Sequence, residues 1–325
     1  MNNPLLEVRN LSIDLDARDG PVRLVDDVSF SLNAGEMLGV VGESGSGKSL
    51  TCRALMRLLP PRLNISGGTI EMNGKDIAHV NDTDIIGMRG SDIGIIFQNP
   101  SSYLNPVMRV GDQIGEALRV QDGLSKREAR QEAINVMRQV GIPDPESRVD
   151  AYVHEFSGGM RQRVMIAAGI ARKPKIIIAD EPTTALDVTV QAQILRLLME
   201  LRDTLGLSII MVTHDLGVVA QTCDTVAVVY AGKLMETGPC KELIAAPAHP
   251  YTEALIKSQP GLTKPGHFLP SIEGQPPQLS KRPAGCLFEP RCAKRLDICV
   301  REKPVLASVE PRRKAACCLI NSEGK

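Results

Sequence analysis

The chain has 325 residues, which is enough for a sizeable hydrophobic core and about two domains. Its 38 lysines and arginines balance 38 aspartates and glutamates, so no overall basic field favours nucleic acid as the main ligand. The first residues lack the basic and apolar regions of a signal peptide, and no apolar stretch reaches the roughly 18 residues that span a bilayer. These features predict a soluble protein, for which any role at a membrane depends on partners.

Short apolar runs alternate with helical patterns through the first 240 residues, which is typical of βαβ units and a mostly parallel sheet. The pattern predicts a strand at 37–41 followed by a helix at 48–59. Amphipathic helices are also predicted at 127–140 and 190–205, and a glycine follows each of them. We place a helical subdomain at about 99–175, between two predicted strands.

A glycine-rich segment, GESGSGKS at 42–49, connects the first of these strands to its helix. It fits the GxxxxGK[ST] pattern of a phosphate-binding loop, in which backbone N–H groups curl around phosphates. Lys48 is expected to reach the β- and γ-phosphates, and Ser49 to ligate Mg²⁺ through its hydroxyl. The alternative is a plain glycine-rich turn, which the flanking strand and helix disfavour. The residues expected to bind phosphate and Mg²⁺ are Gly42, Ser44, Gly45, Gly47, Lys48 and Ser49.

Two carboxylates, Asp180 and Glu181, end a predicted strand at 176–179. Adjacent strand residues point to opposite faces, so the two can take different roles. We expect Asp180 to hold Mg²⁺ through water and Glu181 to act as the catalytic base that polarises the attacking water. His214 ends another predicted strand, at 208–213, and is expected at the same phosphate site. Taken singly, these residues also suit a solvated acidic turn and a structural histidine, but the phosphate loop upstream disfavours both alternatives.

A second glycine turn, FSGGMRQ at 156–162, opens a helix predicted at 160–172. Such a turn at a helix N-terminus makes another anion site, although one chain does not need two of them for one γ-phosphate. The segment resembles the signature loop of the ATP-binding cassette (ABC) ATPases, in which the loop of one subunit covers the nucleotide on another. The resemblance implies that Ser157, Gly158 and Gly159 contact ATP across a dimer.

The resemblance to ABC ATPases covers about residues 5–240 and extends to three more positions. Gln98 matches the glutamine that contacts Mg²⁺ and senses the membrane subunits, Asp187 lies in the matching loop between two ATP sites, and His214 matches the switch histidine that contacts the γ-phosphate. The implied fold is an α/β P-loop NTPase with an inserted helical subdomain, an N-terminal antiparallel β part and a small cysteine-rich C-terminal extension. The implied activity is ATP hydrolysis with Mg²⁺ in a head-to-tail dimer with a second ABC ATPase, either an identical chain or a paralogue.

Longer segments narrow the resemblance to the ATP-binding subunits of dipeptide and oligopeptide importers, the peptide/nickel branch. They lie at 98–114, 179–194, 249–255 and 285–292. In this branch two ATPases lie beneath two membrane permease subunits fed by an extracytoplasmic peptide-binding protein. The resemblance therefore implies a peripheral position on the cytoplasmic face of the membrane and no nucleic-acid partner. We expect an ABC domain at 1–240 and an extension at 241–325, and other polypeptides select the cargo.

One stretch departs from the ABC pattern. The family usually stacks adenine on an aromatic residue near the first strand, but the matching stretch at 11–15, LSIDL, contains none. Leu15 or Val22 is expected to cover the base by apolar contact instead. Weak discrimination between ATP and GTP is the hypothesis that follows.

Five of the eight cysteines lie in the last forty residues, after a proline-rich stretch at 260–285 that is typical of a linker. Without a signal peptide, a metal is favoured over a disulfide framework. The spacers between the first four contain five, six and seventeen residues, unlike a CxxC zinc knuckle, and spacing alone leaves zinc, an iron–sulfur cluster and no metal equally open. The importer resemblance implies a structural 4Fe-4S cluster. Its ligands would be Cys286, Cys292, Cys299 and Cys317, with Cys318 as the alternative fourth ligand.

Other classes of cassette ATPase are alternatives to the peptide-importer assignment. Cassette ATPases that act on ribosomes or DNA commonly carry two cassettes or a long coiled-coil insertion, and this chain has one cassette and neither feature. The peptide-branch segments disfavour an exporter subunit. Within the importer class, nickel and glutathione stay open as cargo.

Overall fold

The computed structural model describes residues 3–184, 186–259 and 270–322. The chain divides into two compact units, which are Met1–His79 together with Met211–Lys325, and Val80–Ile210. Two parts of the sequence predictions fall outside the described residues: 260–269 of the proline-rich linker, and Ala185 in the loop that precedes Asp187.

The described strands are β1 (Leu6–Ala17), β2 (Gly20–Leu32), β3 (Met37–Val41), β4 (Leu63–Met72), β5 (Lys75–Asp76), β6 (Ile93–Ile96), β7 (Ile176–Asp180), β8 (Ser208–Thr213), β9 (Thr225–Tyr230), β10 (Lys233–Pro239), β11 (Ala307–Glu310) and β12 (Arg313–Ala315). The described α-helices are α1 (Lys48–Ala54), α2 (Asp82–Met88), α3 (Pro100–Tyr103), α4 (Val110–Ile114), α5 (Glu116–Val120), α6 (Lys126–Gln139), α7 (Pro145–Arg148), α8 (Gly158–Ile170), α9 (Val188–Leu205), α10 (Leu216–Thr222), α11 (Cys240–Ala245), α12 (Pro250–Lys257) and α13 (Cys318–Ser322). Among these helices, none is long and apolar enough to cross a membrane.

The first unit begins with an antiparallel sheet in the order β2-β1-β4-β5. A tight turn that ends at Gly20, with φ of 108°, joins β1 to β2. Leu6, Val8, Leu11 and Ile13 of β1 are buried, so this strand contributes its apolar side chains to the core. The N-terminal antiparallel part expected from the ABC resemblance is confirmed.

The first unit also contains the strand that leads into the glycine-rich loop. β3 pairs in parallel with β9, from Leu38 opposite Thr225 to Val41 opposite Val228, and all of β3 is buried. β9, β10, β12 and β11 continue as antiparallel neighbours. Because the C-terminal strands β11 and β12 extend this sheet, the segment after residue 240 lies in the same compact unit as the glycine-rich loop.

A hydrophobic cluster joins the end of β3 to the C-terminal segment. It contains Val41 of β3, Tyr230 of β9, Tyr251 of α12 and Phe288, all of them buried. The ring centroid of Tyr251 lies 4.6 Å from that of Tyr230 and 5.2 Å from that of Phe288. The C-terminal segment is therefore packed against the base of the glycine-rich loop.

In the second unit, a parallel strand pair flanks a series of helices. β6 pairs with β7 from Ile93 opposite Ile176 to Ile96 opposite Ala179. The chain between these strands forms α3 to α8, and α9 follows β7. A capping box formed by Ser125 and Glu128 starts α6, and α9 ends at Gly206, which has a left-handed backbone conformation. The observed α6 and α9 agree with the predicted helices at 127–140 and 190–205 to within two residues.

The helix after the glycine-rich loop is shorter than predicted. The pattern predicts a helix to residue 59, but α1 ends at Ala54. Arg57 has a positive φ of 50°, and the N–H of Leu58 donates to the carbonyl oxygen of Arg53 at 2.9 Å, which closes the helix end. The prolines at 60–61 then prevent further helix.

Candidate active site

The predicted phosphate loop is a tight turn between β3 and α1. Gly42, Gly45 and Gly47 have positive φ angles of 155°, 76° and 98°, a conformation that glycine adopts without steric cost. A Cβ on Gly42 would overlap the carbonyl oxygen of Val229 in the neighbouring strand. The strand, loop and helix that the sequence predicts around this motif are confirmed.

Lys48 folds back onto the loop that precedes it. Its side chain is buried, and its Nζ donates to the carbonyl oxygens of Gly42 at 2.8 Å and Glu43 at 2.9 Å. Ser44 and Gly45 are exposed at the tip of the loop. The loop therefore combines a fixed ammonium group with an accessible backbone turn, which are the two elements of a phosphate site.

Residues from the C-terminal segment hold the outer side of this loop. The carboxylate of Glu43 forms a two-point ion pair with Arg291, and the backbone N–H of Glu43 donates to the Tyr251 hydroxyl at 2.9 Å. Hydrogen bonding to Glu43 raises the pKa of Arg291, and burial raises the pKa of Tyr251. Sequence reasoning missed both residues, although they lie in two of the peptide-branch segments, at 249–255 and 285–292.

Two further predicted site residues belong to the first unit. Ser49 is half-buried in the first turn of α1, and His214 is exposed directly after β8. Asp215 caps α10 by accepting the N–H groups of Gly217 at 2.7 Å and Val218 at 3.3 Å. His214 consequently lies at a well-defined turn from strand to helix.

In the second unit, Glu181 is oriented by two hydrogen bonds. Its Oε2 accepts from Gln98 Nε2 and from Thr184 Oγ1, each at 2.8 Å. Glu181 has a left-handed φ of 47°, which is unusual for a residue other than glycine, whereas Asp180 is buried at the end of β7. The structure thus brings together Gln98 and Glu181, two predicted site residues that are 83 positions apart in the chain.

The signature segment, residues 156–162, forms the start of α8. Ser157 is the N-cap of this helix, and Ser157 and Gly158 are exposed. Gly159 lies against α9, where a Cβ would be 2.7 Å from Cγ1 of Val190. Asp187 caps α9 by accepting the N–H of the same Val190 at 3.0 Å. Val190 therefore connects two segments that the sequence assigns to the dimer interface.

The two residues expected near adenine form a cross-strand pair. Leu15 of β1 lies directly opposite Val22 of β2, and both side chains are half-buried. Side chains directly opposite each other on neighbouring strands are in contact range. The pair offers one small apolar surface on the N-terminal sheet.

The C-terminal cysteines lie in one neighbourhood of the first unit. All eight cysteines belong to the described residues, and none forms a disulfide. The N–H of Cys286 donates to the carbonyl oxygen of Cys299 at 2.8 Å. Burial, together with the nearby Cys299, Cys317 and Cys292 thiols, raises the pKa of the Cys286 thiol to about 11. Burial and the Cys299 thiol also raise the pKa of Cys318.

In the parts of the chain that the structure describes, no three or more His, Cys, Asp or Glu side chains are arranged to hold one ion. A single tetrahedral zinc with bonds of about 2.3 Å would need sulfurs roughly 3.8 Å apart. The 4Fe-4S cluster stays a prediction.

Two family models match the chain. The model of the ABC transporter family matches residues 25–184, and the model of the oligopeptide/dipeptide transporter C-terminal region matches residues 235–299. The oligopeptide transport ATP-binding protein OppD of Salmonella typhimurium is 48% identical over 97% of this chain and 93% of its own length. This chain belongs to the ATP-binding proteins of oligopeptide and dipeptide ABC transporters.

Other members of the family are similar over comparable lengths. The dipeptide transport ATP-binding protein DppD of Bacillus subtilis is 48% identical over 92% of this chain and 90% of its own length. The DppD protein of Escherichia coli is 44% identical over 96% of both chains. The chain is accordingly an ABC transporter ATPase, and the family resemblance drawn from the motifs is confirmed.

Solved structures agree with the ABC ATPase fold. CbiO1 of Clostridium perfringens, part of the ABC transporter complex CbiONQ, has a TM-score of 0.63 and 29% identity, covering 75% of this chain and 92% of that chain. The dimeric ATP-binding cassette MJ0796, bound to ADP and phosphate after hydrolysis, has a TM-score of 0.64 and 24% identity, covering 72% and 98%. The mixed α/β ABC ATPase fold expected from the sequence is confirmed.

The C-terminal family match includes the outer support of the phosphate loop. The matched residues, 235–299, contain Tyr251 and Arg291, which bind Glu43. They also contain Cys286, Cys292 and Cys299, whereas Cys317 and Cys318 lie beyond the match. The part of the chain that distinguishes this branch of the family therefore contacts the phosphate loop directly.

Proposed function

We propose that this chain hydrolyses ATP to drive the import of di- and oligopeptides through an ABC transporter. One observation carries the proposal: Gln98 and Thr184 orient the Glu181 carboxylate, in a chain whose phosphate loop holds Lys48. A phosphate loop alone suits many nucleotide-binding proteins, but hydrolysis also needs a positioned base. The peptide cargo is supported by relatives whose names specify oligopeptide or dipeptide transport.

The phosphate loop binds the triphosphate of ATP. The turn of Gly42, Ser44, Gly45 and Gly47 directs backbone N–H groups at the phosphates, and Lys48 contacts the β- and γ-phosphates. The residues that would hold Mg²⁺ are Ser49, Gln98 and, through water, Asp180. Their hydroxyl, amide and carboxylate oxygens are the hard ligands that this cation prefers. When bound, Mg²⁺ neutralises charge on the β- and γ-phosphates.

Glu181 acts as the general base. It accepts a proton from the water that attacks the γ-phosphate, and the hydrogen bonds from Gln98 and Thr184 keep its carboxylate in one orientation. His214 contacts the γ-phosphate and supports the transition state. Gln98 contacts the base and would also contact the cation, which makes it suited to report nucleotide state to the membrane subunits.

The complete ATP site requires a second ABC ATPase in a head-to-tail dimer. Ser157, Gly158 and Gly159 cover the nucleotide of the neighbour, and Asp187 joins the two sites. The exposure of Ser157 and Gly158 at the start of α8 supports this role, since a helix N-terminus attracts phosphate. The neighbour is either a second copy of this chain or a paralogue.

The dimer works at the cytoplasmic face of the membrane as a peripheral component. Two permease subunits form the path for the peptide, and an extracytoplasmic peptide-binding protein delivers it. We assign the ABC domain to residues 1–240 and the extension of the peptide branch to 241–325. The family matches at 25–184 and 235–299 support this division.

Uptake assays test the cargo. Cells that lack this chain but keep the other subunits should regain uptake of labelled di- and tripeptides with the wild-type chain and not with the Lys48→Ala variant. If the chain restores uptake of nickel or glutathione and not of peptides, that solute is the cargo, and the chain is still an importer ATPase. If uptake of none of these solutes depends on Lys48, the assignment of the chain to an importer is contradicted.

The adenine base lies against Leu15 and Val22. This pair provides apolar contact without the ring that stacks on a base, so we infer weak discrimination between purines. Hydrolysis rates with ATP and GTP should be comparable at saturating nucleotide. Strict preference for ATP would contradict the assignment of these residues.

The C-terminal cysteines hold a structural 4Fe-4S cluster. Cys286, Cys292, Cys299 and Cys317 are its ligands, with Cys318 as the alternative to Cys317. The proximity of the thiols supports a shared site: the N–H of Cys286 donates to the carbonyl oxygen of Cys299 at 2.8 Å, and the neighbouring thiols raise the pKa of Cys286. Thiolates are the ligands that iron–sulfur clusters require. A metal held here would add its binding free energy to the folding of this segment.

Anaerobic purification tests the cluster. The protein should be brown, absorb broadly in the blue and contain about four irons with matching sulfide per chain. A colourless protein with one zinc per chain would contradict the cluster.

A further inference from the structure

We propose that Arg291 and Tyr251 are positioning residues for ATP binding, because they hold Glu43 and thereby set the shape and the charge of the phosphate loop. The inference rests on the proposed ATPase function. It assigns to the C-terminal segment a direct part in nucleotide affinity.

Glu43 connects the inner and the outer side of the loop. Its carbonyl oxygen accepts the Nζ of Lys48 at 2.9 Å on the inner side. On the outer side its N–H donates to the Tyr251 hydroxyl at 2.9 Å, and its carboxylate binds Arg291. Any movement of Glu43 is therefore transmitted to the ammonium group that contacts the phosphates.

The ion pair between Arg291 and Glu43 has the geometry of a specific contact. Nη1 donates to Oε2 at 2.6 Å and Nη2 donates to Oε1 at 2.9 Å, so the two planar groups meet at two points. The side chain of Arg291 is 4% exposed. The side chain of Glu43 is 26% exposed, so water and salt screen the attraction within this pair less than in a fully exposed ion pair.

Arg291 is itself fixed by the fold. Nε donates to the carbonyl oxygen of Glu273 at 2.9 Å, Nη2 to that of Ile272 at 3.1 Å, and Nη1 to the Tyr230 hydroxyl at 3.2 Å. Together with the two bonds to Glu43, these contacts use the five donors of a guanidinium group. A lysine at this position has three donors and no planar fork, so it cannot replace the arginine.

Tyr251 supplies the second contact from a rigid position. It lies in the first turn of α12, is fully buried and packs against Tyr230 and Phe288. The N–H that it binds belongs to the backbone of the loop itself, at Glu43. A phenylalanine would keep the packing and remove only this hydrogen bond.

The charge of Glu43 explains why the loop needs this support. A carboxylate next to a phosphate site repels the phosphates and competes for Lys48. The guanidinium of Arg291 balances that charge and holds the carboxylate on the outer side of the loop. Removing Arg291 would therefore leave a carboxylate that opposes ATP binding.

Titration of the full-length chain with fluorescent ATP tests the proposal. Arg291→Ala should weaken binding by at least about tenfold, the effect of losing a hydrogen bond to a charged group, and Arg291→Lys should recover little of it. In steady-state hydrolysis the loss should appear mainly in KM and less in kcat. Arg295→Ala is the matched control, since this exposed arginine pairs with Glu289 and not with the loop.

Two further variants separate positioning from general destabilisation. In a Glu43→Gln background, Arg291→Ala should weaken ATP binding by less than about threefold, since no carboxylate charge is released. If Arg291→Ala does not fold, Tyr251→Phe should still weaken binding about threefold while lowering the thermal midpoint of the nucleotide-free protein by only a few degrees.

Wild-type affinity in folded Arg291→Ala and Tyr251→Phe proteins would overturn the inference and leave the ATPase function intact. An equal effect of Arg291→Ala in both backgrounds would also overturn it. Absence of ATP binding by the wild-type chain would instead remove the proposed function and the inference with it.

Discussion

The phosphate loop and the signature segment are both glycine turns that lead into a helix, and they differ in how the rest of the chain supports them. Lys48 bonds two carbonyl oxygens of the loop, and Arg291 and Tyr251 bind Glu43 from outside. In the signature segment, Ser157 caps its own helix and the turn is exposed. Both turns have exposed tips, at Ser44 and Gly45 and at Ser157 and Gly158, so the difference between them lies in the contacts that hold Glu43 from outside.

The largest effect is expected at the catalytic base. Glu181→Gln should lower ATP turnover by about 10²- to 10⁴-fold, because an amide cannot accept the proton from water. ATP binding should persist, since the phosphate loop is unchanged, and a closed dimer should accumulate. Phosphate release and labelled-ATP binding measure the two properties. Hydrolysis by Glu181→Gln at the wild-type rate would show that Glu181 is not the catalytic base.

Comparing one variant in each turn tests the difference between them directly. Lys48→Ala should abolish ATP binding by the isolated chain and lower turnover by about 10²- to 10³-fold, as loss of a charged phosphate contact does. Gly158→Asp should keep binding and lose turnover, because its carboxylate repels the neighbour's phosphates in the dimer. Equal loss of binding in both variants would contradict a signature segment that acts on another subunit.

Substitutions of two loop glycines sharpen the structural side of the comparison. Gly42→Ala should lower the free energy of unfolding by at least about 3 kcal/mol, because the new Cβ overlaps the carbonyl oxygen of Val229. Gly45→Ala should cost about 1 kcal/mol, since its φ is also positive but no atom lies within 4 Å of the new Cβ. Urea unfolding measures both losses. Equal losses would show that the backbone around Gly42 and Val229 moves to make room for the new Cβ.

A further effect is expected in the pH dependence of the outer support. His249 caps the helix that carries Tyr251, and burial lowers the pKa of His249 from 6.5 to about 4. Between these values the unfolded chain binds a proton that the folded chain does not. The free energy of unfolding should therefore fall as the pH falls through this window and level off below it.

An asparagine variant isolates this contribution. His249→Asn keeps a capping oxygen for the N–H of Tyr251 and removes the titrating ring. Urea unfolding at pH 7 and pH 5 should then show a smaller difference for the variant than for the wild type. Glu236, which accepts the N–H of His249 and pairs with Arg313, is present in both proteins and serves as the common background.

Local chemistry made much of the fold and part of the site predictable. Glycines that need positive φ marked the phosphate loop, and capping residues marked the ends of α6 and α9 to within two residues. Apolar periodicity failed at the end of α1, where the left-handed Arg57 stops the helix without a glycine. The cysteine positions indicated a cluster of thiols, but spacing carries no information about distances between sulfurs.

The sequence by itself determined the ABC family, the loop that binds phosphate and the residues offered as base and signature, because these depend on short motifs with fixed local geometry. Only the tertiary structure decided that the C-terminal segment holds this loop. Arg291 and Glu43 are 248 positions apart, and neither stands out in its own segment. A contact of this kind depends on how β3, β9 and α12 pack around one core, and no periodicity along the chain records that packing.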